Sequence, residues 1–208
     1  MFEIRQCTHP DCHLRMPIDP KVHRGAYCPR CGAPMVRAAE AFAHRQPSGE
    51  AQPKRHIRVL LDNIRSAHNT GAIFRTADGV GAAHLYLCGI TPNPLNNTAL
   101  QKTALGAEED LSWSAHLDAV GLAQALTAEG FRLLALETAA GSQPVFEVDS
   151  QFLDRGSIVL VVGNEQAGVD PGVLDLCDLA LFLPMAGSKA SLNAAVAFGI
   201  AAYLLAFI

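Results

Sequence analysis

The feature of this sequence that most constrains its fold is the alternation of short apolar runs with helical patterns from residue 57 onward. Buried strands that alternate with helices form a mostly parallel sheet, because each crossover helix packs against a face of that sheet. We therefore predict an α/β domain with helices on both faces of the sheet. The predicted strands cover residues 57–61, 83–88, 131–136, 157–162 and 179–183, and the predicted helices cover residues 69–79, 117–129 and 190–208.

Composition limits what else the chain can contain. Its 208 residues allow one full domain and a small module, and 50% hydrophobic with 17% charged residues excludes a disordered or fibrous chain. Six cysteines are too few for a scaffold based on disulfides. The sequence also opens without the pattern of a secretion signal, so we expect a reducing, cytoplasmic setting.

The first 37 residues contain two cysteine pairs and little apolar sequence that could form a core. Cys7 and Cys12 are separated by fifteen residues from Cys28 and Cys31, and two short loops that each present two thiolates suit tetrahedral Zn²⁺. We predict a small structural four-cysteine zinc ribbon over residues 1–37, with four free thiols or two disulfides as the alternatives. A linker over residues 38–56 follows, because Gln, Pro, Ser and Gly dominate residues 46–53.

Charge is distributed unevenly between these parts. Residues 1–58 carry a formal charge of +5 and residues 59–208 carry −9, within a total of −4 at pH 7. The basic N-terminal segment suits attraction to a polyanion such as RNA. The acidic remainder of the chain would have a different function.

The last 19 residues, 190–208, contain no charged residue and are nearly long enough to cross a bilayer. Ser191 and Asn193 stand where a helix N-cap belongs, and seven of the 19 residues are alanine. A helix that is apolar on all sides also suits a protein core or a subunit interface. We favour the core or interface and expect no membrane insertion.

Three polar loops follow predicted strands and carry the candidate functional residues. The first leads into a helix with Asn69 and Arg75, the second surrounds Glu165, and the third connects Leu183 to Asn193. The carboxyl ends of strands in an open α/β sheet form its ligand crevice, so we expect these loops to converge. The first two loops also have a simpler interpretation, with Asn69 as an N-cap, Arg75 as a surface charge and Glu165 as a cap of the following turn. No G-x-G-x-x-G follows the first strand, which argues against a dinucleotide site.

These loops resemble, in order and spacing, the three motifs of the SpoU-type (TrmH-like) RNA ribose 2′-O-methyltransferases of the SPOUT class. The resemblance covers about residues 57–208 and implies a trefoil-knotted sheet, S-adenosylmethionine as the cofactor and an obligate homodimer. It also implies methylation of a ribose 2′-hydroxyl in structured tRNA or rRNA. The matching segments are Asn69-Thr-Gly-Ala-Ile-Phe-Arg75-Thr-Ala-Asp, Gly163-Asn-Glu165-Gln-Ala-Gly168, and Leu183-Pro-Met-Ala-Gly followed by Ser191-Leu-Asn193, and residues 102–108 are similar to a further segment of that family.

The same resemblance implies roles for individual residues. Arg75 would be the catalytic arginine with Asn69 as its helper. A fixed guanidinium suits stabilisation of the charge that develops on the attacking oxygen, whereas arginine stays protonated in proteins and is therefore unsuited to removing the proton. The remaining implied residues are Glu165, Ser191 and Asn193 in the active site, and Gly163, Leu183, Met185 and Leu192 at the cofactor.

Two other functions fit parts of the sequence. A zinc-ribbon RNA-binding protein could use an inactive knotted domain as a dimer scaffold, but the joint presence of the implied active-site residues argues against it. Methylation of a base by a related knotted enzyme is the other alternative, and the spacing of Asn69 and Arg75 resembles the ribose-methylating branch instead.

Overall fold

The computed structural model describes residues 2–42 and 51–208. The chain divides into two compact units, Met1–Glu50 and Ala51–Ile208. The first unit contains the cysteine pairs, and the second contains the region predicted to be α/β. Residues 43–50 of the predicted linker, with most of its Gln-Pro-Ser-Gly run, lie outside the described residues.

The first unit contains a three-stranded antiparallel sheet with the strand order β2-β1-β3. Its small core consists of the buried residues Cys7, Cys28 and Met35, so burial alone contributes little to the stability of this unit. The third strand pairs with the first along its whole length and extends three residues into the segment predicted as a linker. The strands are β1 Glu3–Cys7, β2 Arg15–Ile18 and β3 Met35–Glu40.

The second unit is built on a seven-stranded sheet with the order β6-β5-β4-β9-β7-β10-β8, and all of its neighbouring strands are parallel. Its elements are β4 Arg58–Asp62, α1 Ala67–Gly79, β5 His84–Cys88, α2 Thr98–Ala104, α3 Ala107–Asp110, β6 Trp113–His116, α4 Ala119–Ala128, β7 Arg132–Leu136, β8 Gln143–Pro144, a 3-10 turn at Val145–Glu147, α5 Ser150–Leu153, β9 Ile158–Val162, α6 Pro171–Leu174, β10 Leu179–Phe182 and α7 Ala194–Phe207.

Alternate side chains of the central strands enter two separate apolar cores. On β4, Val59 and Leu61 pack in one core with α1, α2 and α7, whereas Leu60 packs in the other with α4 and α6. The central strand β9 is buried at every position, because helices cover both faces of the sheet. The predicted α/β fold, a mostly parallel sheet between two layers of helices, is therefore confirmed.

Some element boundaries differ from those predicted. Helix α1 begins at Ala67 with Ser66 as its N-cap, so the interpretation of Asn69 as the cap is wrong. Helix α7 begins at Ala194 and is capped by Asn193, later than the predicted start at residue 190. In the parts of the chain that the structure describes, no helix is both long enough and apolar enough to cross a membrane.

Candidate active site

A cavity of about 390 Å³ lies at the carboxyl ends of β7, β9 and β10. This is the edge at which open α/β sheets bind ligands, and the volume lies within the range of small-molecule sites. Apolar side chains and polar loop atoms share its wall. The lining residues are Leu136, Glu137, Thr138, Val162, Gly163, Asn164, Glu165, Gln166, Gly168, Leu181, Phe182, Leu183, Ala190, Ser191, Leu192, Asn193, Ala194 and Ala197.

A polar network beside this cavity connects the three predicted motifs. The amide of Asn69 donates from Nδ2 to Oε1 of Glu165 at 2.8 Å, and Nδ2 of Asn193 donates to Oδ1 of Asn69 at 3.0 Å. The three side chains come from α1, the loop after β9 and the N-cap of α7. The predicted convergence of the three loops is therefore present in the structure.

The carboxylate of Glu165 also caps the start of helix α1. Its Oε2 accepts the backbone N–H of Arg65 at 2.9 Å, and its Oε1 accepts the backbone N–H of Ser66 at 3.1 Å. Partial burial opposes ionisation, but the N–H of Arg65, with further donors from Ser66 and Asn69, outweighs this effect and lowers the pKa of the Glu165 carboxyl group. Glu165 is therefore an anion that fixes the first loop, and not a cap of the turn that follows it.

The loop after β9 has a shape that requires glycine at its first position. A Cβ atom on Gly163 would lie 2.3 Å from the backbone of Gly168 and Val169. Asn164 and Gly168 exchange two backbone hydrogen bonds of 2.9 Å, which closes the loop. The side chain of Asn164 then donates to the carbonyl oxygen of Asn63 at 2.7 Å and connects this loop to the one after β4.

Two carboxylates that sequence reasoning missed hold the same loops in place. Asp62, which is 1% exposed at the end of β4, accepts the backbone N–H of Asp170 at 2.7 Å. Glu137, which follows β7, accepts the backbone N–H of Val169 at 3.0 Å. Their position at the carboxyl ends of buried apolar runs is the sequence signal that could have identified them.

The residues predicted to bind the cofactor are distributed unevenly around the cavity. Gly163, Leu183 and Leu192 line it, as does the predicted active-site residue Ser191. Met185 is half-buried in the loop after β10 and is not among the residues that line the cavity.

Arg75 lies on a different surface from the Glu165 network. It is exposed on α1 and lines a shallow depression of about 780 Å³ together with Lys102 and Tyr203. It is six residues beyond Asn69, which places it about 9 Å further along the helix and on another side. Within one chain the structure therefore does not bring Arg75 to the cavity.

The four cysteines of the first unit form a compact cluster. The Sγ atoms of Cys7, Cys12, Cys28 and Cys31 all lie within 4.8 Å of one another, and none forms a disulfide. The distances of 3.4 Å from Cys7 to Cys31 and 3.8 Å from Cys12 to Cys28 resemble the roughly 3.8 Å edge of a tetrahedral zinc–thiolate site. Burial opposes ionisation of Cys28, but the backbone N–H groups of Arg30 and Cys31 lower its pKa to about 7. Burial raises the pKa of the neighbouring Cys7 to about 12.

A parallel α/β sheet with a ligand-sized cavity and a polar network at its carboxyl edge defines the class of ligand-binding α/β enzyme domains. Comparison with known proteins identifies the family within that class. Residues 56–203 match the SpoU rRNA Methylase family. This match covers well over half of the chain, and the chain therefore belongs to the SpoU rRNA methylase family.

Curated relatives agree with this membership. The tRNA (guanosine(18)-2'-O)-methyltransferase of Aquifex aeolicus is 31% identical over 156 residues, which are 70% of this chain and 66% of that protein. The 23S rRNA (guanosine-2'-O-)-methyltransferase RlmB of Pseudomonas syringae pv. tomato is 36% identical over 145 residues, which are 68% of this chain and 54% of that protein. The chain thus spans about half to two-thirds of the length of these relatives.

Solved structures give the same result for the fold. The SpoU methyltransferase AviRb from Streptomyces viridochromogenes, in complex with the cofactor AdoMet, has a TM-score of 0.64 and 26% identity, covering 84% of this chain and 68% of that one. An AdoMet-bound rRNA methyltransferase from Sinorhizobium meliloti has a TM-score of 0.67 and 27% identity, covering 80% of this chain and 61% of that one.

Proposed function

We propose that this protein is an S-adenosylmethionine-dependent methyltransferase that methylates a ribose 2′-hydroxyl in structured tRNA or rRNA. The observation that carries this proposal is the network of Glu165, Asn69 and Asn193, which connects all three family motifs beside one ligand-sized cavity. Both curated relatives described above are named as guanosine 2′-O-methyltransferases, one of tRNA and one of rRNA. A tRNA or rRNA substrate is also consistent with the cytoplasmic location expected from the sequence.

The cavity at the carboxyl ends of β7, β9 and β10 suits S-adenosylmethionine. Apolar walls from Leu183 and Leu192 suit the flat adenine ring, and the Gly163 loop offers close backbone approach. Met185 is proposed as a further contact from the loop after β10. When bound, the cofactor supplies a methyl group on a positively charged sulfur that an oxygen nucleophile can attack. The trefoil knot that the family resemblance implies for this region remains a prediction.

The side chains of this chain position the reacting groups. The hydrogen bond between Glu165 and Asn69 holds the first motif against the second. Ser191 and Asn193 lie at the polar rim of the cavity and would position a ribose hydroxyl there. The guanidinium of Arg75 stabilises the negative charge that develops on the attacking oxygen. The proton then leaves to a phosphate oxygen or to water, because an arginine remains protonated.

A homodimer supplies what the single chain lacks. Helix α7 exposes Val196, Ile200 and Tyr203, which recur at the spacing of one helix face. Arg75 lines the same depression as Tyr203, so an interface here would place Arg75 between the two copies. We propose that Arg75 acts in the cavity of the partner copy.

The cysteine cluster of the first unit is proposed to hold one structural Zn²⁺. Cys7, Cys12, Cys28 and Cys31 would bind it, and four thiolate ligands leave no open position for chemistry. Metal analysis of the purified full chain is expected to give about one zinc per protomer. Cys28→Ser is expected to lose the metal while S-adenosylmethionine binding stays intact. Full zinc content in this variant would contradict the proposed ligand set.

Two measurements together test the proposed enzyme activity. Calorimetric titration of the full chain with S-adenosylmethionine is expected to show binding, and incubation with methyl-labelled cofactor and total tRNA and rRNA is expected to label RNA. Binding without label in any RNA would instead favour the inactive RNA-binding scaffold. An absence of binding would contradict the assignment of the cavity.

A further inference from the structure

The first unit carries an apolar groove on the surface of its small sheet. The groove has a volume of about 640 Å³. Three of its apolar side chains are unusually open to solvent, since Tyr27 is 71%, Val22 is 69% and Phe2 is 54% exposed. Met16, Pro17 and Ile18 of β2 also line it. Contiguous exposed apolar side chains with polar residues around them mark interaction sites.

Tyr27 is held in place by the backbone on either side of it. The N–H of Cys28 donates to the carbonyl oxygen of Ala33 at 2.8 Å, and the N–H of Met35 donates to that of Ala26 at 2.9 Å. Tyr27 itself pairs with Pro34 in an antiparallel bridge. Because side chains alternate along such a ribbon, Cys28 enters the core while the ring of Tyr27 faces outward. The backbone therefore directs this ring toward solvent at the groove.

Three cations lie in, or next in sequence to, the segment that lines the groove. Lys21, Arg24 and Arg30 are exposed, and within the described ranges 2–42 and 51–208 they form no ion pair. Arg24 lines the groove directly. The acid in the lining, Asp19, accepts the backbone N–H of Lys21 at 3.0 Å.

The remaining acids of the sheet are engaged elsewhere. Glu3 forms ion pairs with Arg5 and Arg37, and Arg37 also pairs with Glu40. A zinc tetrathiolate would lower the net positive charge of this unit. The attraction of an anionic ligand to the groove would then come from the cations near it and not from the net charge. Exposed aromatic rings beside unpaired cations are the combination that binds single-stranded nucleic acids.

We propose that this groove binds an unpaired nucleotide of the RNA substrate, with the base stacked on Tyr27 and a flanking phosphate beside Arg24 and Lys21. The inference rests on the proposed function, because it takes RNA as the substrate. An unpaired base is required, since the bases of an A-form duplex are stacked inside the helix and offer no face to an aromatic ring. The first unit is then a second RNA contact that selects a loop, bulge or end.

Fluorescence anisotropy with the full zinc-loaded chain tests this directly. The probes are a fluorescein-labelled single-stranded RNA of mixed sequence and a labelled RNA duplex, each titrated at several salt concentrations. Tyr27→Ala is expected to weaken single-strand binding by about 5- to 150-fold, the range for loss of one stacked base. Tyr27→Phe keeps the ring and is expected to bind like the wild type. Arg24→Ala is expected to lower the salt dependence by about one phosphate contact.

Val36→Ala is the matched control, because Val36 is an exposed apolar residue of the same sheet outside the groove. Equal single-strand affinity for the wild type and Tyr27→Ala, or an equal loss in Val36→Ala with zinc retained, would overturn the proposal. Wild type that binds neither RNA probe would also overturn it and favour a protein ligand for the groove. Methylation of total RNA is measured in parallel. If the wild type labels RNA and Tyr27→Ala does not change RNA affinity, only this inference is refuted. If the wild type labels no RNA, the proposed function is refuted.

Discussion

Asn69 shows how much one side chain depends on distant parts of the chain. Its sequence context predicted either a helix cap or a family motif residue. In the structure Ser66 is the N-cap of α1, and the side-chain amide of Asn69 forms hydrogen bonds with Glu165 and Asn193. These partners lie about a hundred residues away in sequence, so local pattern could not reveal them. The type of each motif residue was predictable, but its hydrogen-bond partner was not.

Arg75→Ala is expected to lower kcat by about 10²- to 10³-fold while binding of S-adenosylmethionine changes little. The physical reason is that the guanidinium acts on developing charge and does not line the cavity of its own chain. Labelled methyl transfer and calorimetry measure the two quantities. Arg155→Ala, an exposed arginine elsewhere in the same unit, serves as the control. Equal loss of activity and cofactor binding would contradict the role given to Arg75.

Asn193 has two functions that substitution can separate. Its Oδ1 caps α7 by accepting the N–H groups of Ala195 and Val196 at 2.9 and 3.3 Å, and its Nδ2 donates to Asn69. Asn193→Ala is expected to lose about 0.5 to 2 kcal/mol of stability together with activity. Asn193→Asp keeps the cap but not the donor, so we expect wild-type stability with lost activity. Thermal unfolding and methylation assays would refute this separation if both variants were equally unstable.

At the scale of elements, the buried strands were predictable and the edge strands were not. The predicted ranges 157–162 and 179–183 overlap β9 and β10, because both are short apolar runs between polar loops. β6 was missed because Trp113–His116 is only partly buried at the sheet edge, and β8 has just two residues. The loop after β9 was recognisable by its glycines, although the contact that requires Gly163 forms only in the folded loop.

Gly163→Ala tests whether this loop builds the cavity. The added Cβ would meet backbone atoms of Gly168 and Val169 at 2.3 Å, so we expect about 1–3 kcal/mol of destabilisation and weaker cofactor binding. Gly156→Ala is the matched control, since a Cβ there would make only ordinary contacts of 3.7 Å or more. Unfolding and calorimetric titration of both variants give the comparison. A Gly163→Ala protein with normal affinity for S-adenosylmethionine would show that the cofactor binds elsewhere.

At the scale of the whole molecule, the separation of Arg75 from the cavity is the feature that sequence could not show. The motif order placed Arg75 and Asn69 on one helix, but the direction in which each side chain points depends on the packing of that helix. The structure leaves Arg75 beside the exposed face of α7, and in the proposed homodimer a second copy would complete the site. The proposal therefore makes dimerisation a requirement for catalysis.

Mixing two inactive variants tests this composite site. Arg75→Ala and Glu165→Gln, mixed in equal amounts, are each expected to have no more than about 1% of wild-type activity as homodimers. After unfolding and refolding together, half of the dimers pair the two variants, and each such dimer has one complete site if Arg75 acts in the partner copy. We therefore expect about a quarter of wild-type activity. A mixture that remains inactive although heterodimers form would place Arg75 in its own chain's cavity.

The central claim is that the cavity beside Glu165, Asn69 and Asn193 directs a methyl group to a ribose oxygen. The most direct measurement is mass spectrometry of nucleosides from RNA that the wild-type protein has labelled with methyl-labelled S-adenosylmethionine. The account predicts that the label is on the ribose 2′-oxygen and that RNA treated with Arg75→Ala for the same short time contains about 10²- to 10³-fold less of it. Label on a base would contradict it.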